Sequence, residues 1–148
     1  MSLVLDSSVT LTWCFEDEQT PACNAVLEQV GQGGAFAPTL WPLEVLNALA
    51  MAERRGRLEA VKRQELTGFL SCLPVMLDSE TAAQAWTITS RLAERFRLTL
   101  YDASYLELAQ RLGLPLATVD LDLRAAAKQG GVPLLGLDGD LRPRVPES

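Results

Sequence analysis

Four carboxylates stand out by position in this chain of 148 residues: Asp6, Glu44, Asp102 and Asp120. Asp6 stops the apolar run Leu3-Val4-Leu5, and Asp120 stops the run Leu116-Ala117-Thr118-Val119. Glu44 lies among Leu43, Val45 and Leu46, and Asp102 precedes an apolar stretch opening at Ala103. Each alone has an ordinary explanation. An acid after a strand often caps the next helix, and a Glu in a first turn interacts well with the helix dipole. The set has a chemical one. Carboxylates gathered in one crevice repel one another unless cations join them. Hard oxygen ligands without sulfur or imidazole select magnesium or manganese. Such a site suits phosphodiester hydrolysis, in which metal ions activate water and stabilise the leaving oxygen.

The elements that must position these acids read as alternating strands and helices. Leu3, Val4 and Leu5 suit a strand buried on both faces. Residues 9–15 suit a short helix, followed by the solvated acids Glu16, Asp17 and Glu18. Thr20-Pro21 is a helix start, and the glycines at 31, 33 and 34 stop that helix. Residues 35–38 give a second strand. Residues 41–55 form a strong helix with Pro42 in its first turn, which places Glu44 near the amino end and Asn47 one turn later on the same face. Gly56 breaks it, residues 58–73 form another helix, and 75–77 a third strand. Ser79 is expected to cap a long helix reaching about residue 96. Residues 98–100 read as a linker, 103–112 as a helix, 116–119 as a fourth strand, 121–128 as a short helix and 133–137 as a fifth strand. The tail from about 138 is expected to be loose. This alternation predicts one α/β domain over residues 1–148, with a parallel sheet wrapped on both faces. If the first and fourth strands are neighbours where the strand order reverses, Asp6 and Asp120 lie side by side. Helix amino ends then bring Glu44 and Asp102 toward the same crevice.

Composition narrows the chemistry further. The chain has no histidine. That excludes a serine or cysteine nucleophile activated by histidine, and any histidine-ligated zinc. Cys14, Cys23 and Cys72 have no metal-ligand spacing, and their odd number argues against a disulfide framework; burial as small apolar residues is expected. The net charge of −6 counts weakly against nucleic acid, since a carboxylate metal site raises the acid count while its cations reverse the local field. No apolar run approaches the roughly 20 residues of a membrane helix, and no basic region precedes the first apolar segment. The expected compartment is the cytoplasm.

Leu5-Asp6-Ser7-Ser8, Glu44 with Asn47, Tyr101-Asp102-Ala103-Ser104-Tyr105 and Leu116-Ala117-Thr118-Val119-Asp120 occur in that order over nearly the full length. The ordered set resembles a PIN domain, most closely the VapC toxins of bacterial type II toxin–antitoxin pairs. The resemblance implies a three-layer α/β/α domain with a mostly parallel sheet of about five strands. It also implies a Mg2+- or Mn2+-dependent endoribonuclease whose catalytic and metal-binding acids match Asp6, Glu44, Asp102 and Asp120. Ser8, Asn47 and Thr118 match supporting polar positions that order the carboxylates and nearby water. Asp122 falls where some relatives carry an additional acid; it is read either as a water-mediated ligand or as a solvated helix-start acid. The expected partners are an RNA substrate, a VapB-like antitoxin that inserts a tail near the acids, and a second copy in a homodimer, with no membrane.

Two basic groups, Arg54, Arg55, Arg57, Lys62 and Arg63, and Arg91, Arg95 and Arg97, are either solvated surface or the track that holds a phosphate strand. Trp13, Trp41 and Trp86 can stack on bases, but core packing or a dimer contact is the expectation for each. The main rival reading is a PIN-fold interaction module without catalysis, against which the complete acid set argues. A phosphoacceptor receiver domain needs a lysine near the end of the last strand, and Leu134 to Leu137 offers none. A Toprim-type nuclease, using Asp120 and Asp122 as its Asp-x-Asp pair, wants Glu rather than Asp at the end of the first strand.

Overall fold

Leu3, Val4 and Leu5 have no exposed surface, as a strand covered on both faces requires. They belong to the middle of the sheet in the computed structural model, which describes residues 2–140. The strands are β1 (Val4–Leu5), β2 (Ala35–Ala37), β3 (Val75–Leu77), β4 (Leu116–Ala117) and β5 (Leu134–Leu135). All pairings are parallel and the order is β3-β2-β1-β4-β5. Chain order therefore reverses between β1 and β4, which are hydrogen-bonded neighbours with Leu5 opposite Ala117. Crossovers between parallel strands are right-handed as a rule, so a reversal of strand order places the helices of the two halves on opposite faces. The sequence expectation of an α/β domain with a parallel five-stranded sheet is what the structure shows.

The helices are α1 (Ser7–Thr12), α2 (Pro21–Gly33), α3 (Trp41–Arg54), α4 (Ala60–Ser71), α5 (Thr81–Gln84), α6 (Ser90–Phe96), α7 (Leu100–Leu112) and α8 (Leu121–Gln129). The cap residues explain several starts. Thr20 accepts from the Cys23 amide at 3.1 Å with Pro21 in the first turn of α2. Asp120 accepts from the Leu123 amide at 2.9 Å and caps α8. Helix α7 packs against β1 and β4 and buries Ala103, Tyr105, Leu106, Leu108 and Ala109. Each large apolar side chain so covered contributes about 1.5–3 kcal/mol relative to exposure.

Several boundaries depart from the sequence reading, each for a local reason. Helix α1 starts at Ser7 rather than Val9, because the hydroxyls of Ser7 and Ser8 are satisfied by Asp6 and stop competing with the helix. Helix α7 starts at Leu100, since Thr99 rather than an acid is its cap and accepts from the Asp102 amide at 3.1 Å. The expected long helix after Ser79 is broken. A π-helical turn at Ala85–Thr89 separates α5 from α6, with Ser90 Oγ donating to the Ala85 carbonyl at 2.6 Å. Ser79 does not cap it; the Thr81 hydroxyl instead bonds Asp78 at 3.0 Å. Cys14 and Cys23 are buried as expected, but Cys72 is exposed just beyond α4. Asp140 is not loose: Arg124 pairs with it, and the Leu137 amide donates to it at 2.7 Å. The rest of the expected tail lies outside the described residues.

Candidate active site

Strand β1 delivers Asp6 to the carboxyl end of the sheet, where the Asp6 amide continues the ladder to the Ala117 carbonyl at 3.0 Å. The side chain is only 3% exposed. A buried carboxylate needs donors, and neighbouring segments supply them. Ser8 Oγ donates to Oδ2 at 2.6 Å, Thr118 Oγ1 donates to the same oxygen at 2.8 Å, and Ser7 Oγ lies 3.4 Å from Oδ1. The two hydroxyl oxygens are also acceptors: Ser8 Oγ from the Val119 amide and Thr118 Oγ1 from the Asp120 amide, each at 3.1 Å. One network thus ties the end of β1 to the loop that carries Asp120. Burial raises the Asp6 pKa, the Ser8 and Thr118 hydrogen bonds oppose that, and the nearby Asp120 charge adds to it.

Gly136 permits the close approach behind this network. Its φ is +118°, and a Cβ there would stand 3.2 Å from the Thr118 carbonyl oxygen and 3.2 Å from Val9. The same Thr118 carbonyl accepts from Arg124 Nη1 at 2.8 Å. Arg124 is a buried cation of α8 that also pairs with Asp140.

Glu44 sits in the first turn of α3, half-buried, and accepts a short 2.5 Å hydrogen bond from the Tyr105 hydroxyl. Burial raises its pKa, and the charges of Asp6 and Asp102 raise it further against the opposing Tyr105 bond. Tyr105 is fully buried, and burial followed by the Asp6 and Glu44 charges pushes its pKa far up, so its proton stays available for Glu44. Asp102, in the first turn of α7, has its pKa raised to about 6, by burial first and then by Asp6 and Asp120. Asp6, Glu44, Asp102 and Asp120 therefore share one field: each of the three raised acids is raised partly by the others.

Of the supporting positions, Ser8 and Thr118 join this network. Asn47 is exposed and makes no side-chain hydrogen bond to the acids among the described residues. Asp122 is exposed in the first turn of α8, and its charge reaches Asp102. Tyr105 and Arg124 gained no role from the sequence. A tyrosine three residues after Asp102 shares its helix face, and Arg124 is the one cation inside the run Leu123 to Ala127. Those were the available signals. The first basic group is largely occupied: Arg57 pairs with Asp17 and Glu18, and Arg63 with Glu53. Trp13 and Trp41 are buried, whereas Trp86 is exposed.

The donor set fits a hard divalent cation, since it offers only carboxylate oxygens and carries a mutual repulsion that a cation relieves. Among the described residues no three His, Cys, Asp or Glu side chains are set to share one ion. The acids form an electrostatically coupled group rather than a closed coordination shell.

The family model described as PIN domain matches residues 3–129. The chain belongs to the PIN domain family. Ribonuclease VapC3 of Mycobacterium tuberculosis is 34% identical over 106 residues, covering 70% of this PIN domain chain and 73% of that protein. Ribonuclease VapC3 of Pyrobaculum aerophilum is 29% identical over 127 residues, covering 83% and 92%. The crystal structure of PAE2754 from Pyrobaculum aerophilum superposes with a TM-score of 0.65 at 26% identity, over 90% of this chain and 89% of that one.

Proposed function

We propose that this PIN domain protein is the endoribonuclease toxin of a toxin–antitoxin pair, hydrolysing RNA phosphodiester bonds at a Mg2+- or Mn2+-dependent centre of Asp6, Glu44, Asp102 and Asp120. The observation that carries the reading is the coupled acid group at the strand-order reversal, with Asp6 held by Ser8 and Thr118. Similarity to two proteins named ribonuclease VapC3 supports the substrate class.

The four acids would hold the cation. When bound, it supplies charge that lowers the pKa of water and neutralises phosphate oxygens. The chain's own residues set the geometry. Ser8 and Thr118 fix the Asp6 carboxylate through Oδ2 and leave Oδ1, which has only the long 3.4 Å contact from Ser7, for binding. Tyr105 fixes one oxygen of Glu44 in the same way. Asp120 gives one oxygen to the α8 cap, and the other accepts no hydrogen bond among the described residues. Asp102, its pKa raised to about 6, is largely ionised at pH 7.5. No histidine is present to act as a separate base.

The same reading includes an RNA substrate, a VapB-like antitoxin, a homodimer and a cytoplasmic location. Exposed Leu43, Met76, Leu77 and Trp86 offer apolar surface for protein partners. No helix among the described residues is long and apolar enough to cross a membrane. A second reading, a PIN-fold interaction module without catalysis, is favoured by one observation, that no three acids among the described residues are set to share one ion. Incubating the purified protein with total cellular RNA separates the two. The nuclease gives discrete fragments with Mg2+ or Mn2+, none with EDTA and none from Asp6→Asn; identical RNA patterns in all lanes indicate the module.

A further inference from the structure

Arg97 is the one non-glycine residue with positive φ among the described residues, at +54°. It ends α6 in the left-handed conformation, with the Leu98 amide bonded back to the Ala93 carbonyl at 3.0 Å. Helix α7 ends in the same left-handed way, but there the residue is Gly113. Glycine adopts this conformation without steric cost, whereas arginine does not. A strained side chain that persists where glycine would serve is a reason to look for what the side chain does.

The side chain lies at an open polar pocket of about 310 Å3 lined by Arg95, Phe96, Arg97, Asp122 and Gln129. The Arg95 guanidinium stands 4.9 Å from the Phe96 ring centre, within the range of cation–π attraction. Neither Arg95 nor Arg97 forms an ion pair among the described residues, although Asp122 lines the same pocket. Arg54, Arg55 and Arg91 also form no ion pair among the described residues, but Arg95 and Arg97 share one pocket with Asp122. The pocket joins the two segments that carry site acids: Asp122 lies in the first turn of α8, two residues beyond its cap Asp120, and Arg97 precedes Asp102 by five residues across the Thr99 cap of α7. Two unpaired guanidinium groups beside a crevice of carboxylates match a phosphodiester backbone, which guanidinium binds through paired hydrogen bonds.

We propose that Arg95 and Arg97 form a phosphate-binding subsite that holds the RNA strand where it leaves the four-acid crevice. The subsite rests on the ribonuclease reading and extends it to the residues that grip the substrate. It also explains how a chain of net charge −6 holds a polyanion: two cations without ion-pair partners among the described residues gather in one pocket.

The test measures binding of a fluorescein-labelled oligouridylate dodecamer by anisotropy in Mg2+, with Asp6→Asn as the background to prevent cleavage. Adding Arg95→Gln and Arg97→Gly together weakens binding about tenfold and reduces the slope of log affinity against log salt by about 1.4, the loss of two single-strand phosphate contacts. Removing the same charge elsewhere, with Arg54→Gln and Arg55→Gln, leaves affinity within about twofold. Arg97→Gly alone weakens RNA binding while its melting temperature equals or exceeds that of the background protein, because the left-handed strain is gone. A role only in the fold would move both in the same direction. Equal affinities in the Arg95/Arg97 variant and the background, or equal losses in both double variants, overturn the subsite. If metal-dependent cleavage by the otherwise unaltered chain persists with unchanged kcat/KM after Arg95→Gln and Arg97→Gly, the subsite fails and the ribonuclease reading stands. If the background protein binds no RNA and the unaltered chain cuts none, both fail together.

Discussion

Arg124 Nη1 donates to the Thr118 carbonyl at 2.8 Å, so a cation buried in α8 holds the segment whose hydroxyl holds Asp6. Nη1 also reaches the Leu135 carbonyl at 3.4 Å, and Nη2 pairs with Asp140. The guanidinium therefore ties together the ends of β4 and β5 and the chain after β5. Replacing Arg124 with Met leaves the Thr118 carbonyl without its donor and Asp140 without its cation, while the Leu135 carbonyl keeps the Thr118 amide and Asp140 keeps the Leu137 amide. The expected cost is about 3 kcal/mol, as for breaking a buried pair from one side. Urea unfolding measures it. Arg124→Lys keeps the charge but not the fork, and recovers only part of the loss.

Tyr105→Phe removes one hydroxyl and no packing. Glu44 is half-buried and can turn to water, so stability falls by about 1 kcal/mol or less. The effect on chemistry is larger, because Glu44 loses the bond that fixes its orientation. The variant is expected to bind Mn2+ more weakly and to lose about tenfold in kcat/KM for an RNA oligonucleotide, with its melting temperature little changed. A normal rate would show that Glu44 needs no orientation by Tyr105.

The raised pKa of Asp102 fixes the sign of a pH effect. Its folded value, about 6, lies above the ordinary 3.8. The protein binds this proton more tightly when folded, so the associated stability is fully present below about pH 3.8 and is lost as pH rises through 6. Asp102→Asn removes that loss. In metal-free buffer the variant is expected to melt higher than the unaltered protein at pH 7.5, with the difference vanishing near pH 4. Thermal melts across this range test it; a difference that does not depend on pH would contradict it. Asp78, whose pKa is lowered against burial by its hydrogen bonds to Arg111 and Thr81, runs the opposite way and destabilises both proteins alike at low pH.

Much of this was legible in the sequence because the decisive signals were local. Uninterrupted apolar runs ending in Asp6 and Asp120 marked β1 and β4, and Thr20-Pro21 marked α2. The sequence left the neighbouring placement of β1 and β4 as a condition, which the strand pairing meets. What stayed hidden depends on contacts distant in sequence. Tyr105 meets Glu44 across 61 residues and Arg124 meets Leu135 across 11, and no periodicity encodes either pairing. The π turn at Ala85–Thr89 was missed because the alanine-rich segment around it carries no helix-breaking residue. Arg97 was read only as one of a basic group, either solvated surface or a phosphate track, since a positive φ at a non-glycine residue leaves no trace in composition.

Asp120→Asn is the variant that tests the central claim most directly. Asn caps a helix as well as Asp does, so the bond to the Leu123 amide and the start of α8 are retained while one negative charge is lost from the crevice. Mn2+ binding by calorimetry and cleavage of total RNA should be measured on the same samples of variant and unaltered protein. The acid-centre account predicts an unchanged fold by circular dichroism, Mn2+ affinity reduced about tenfold or more, and RNA cleavage lost with it. Full cleavage by Asp120→Asn, or cleavage by the unaltered protein that survives EDTA, would contradict it.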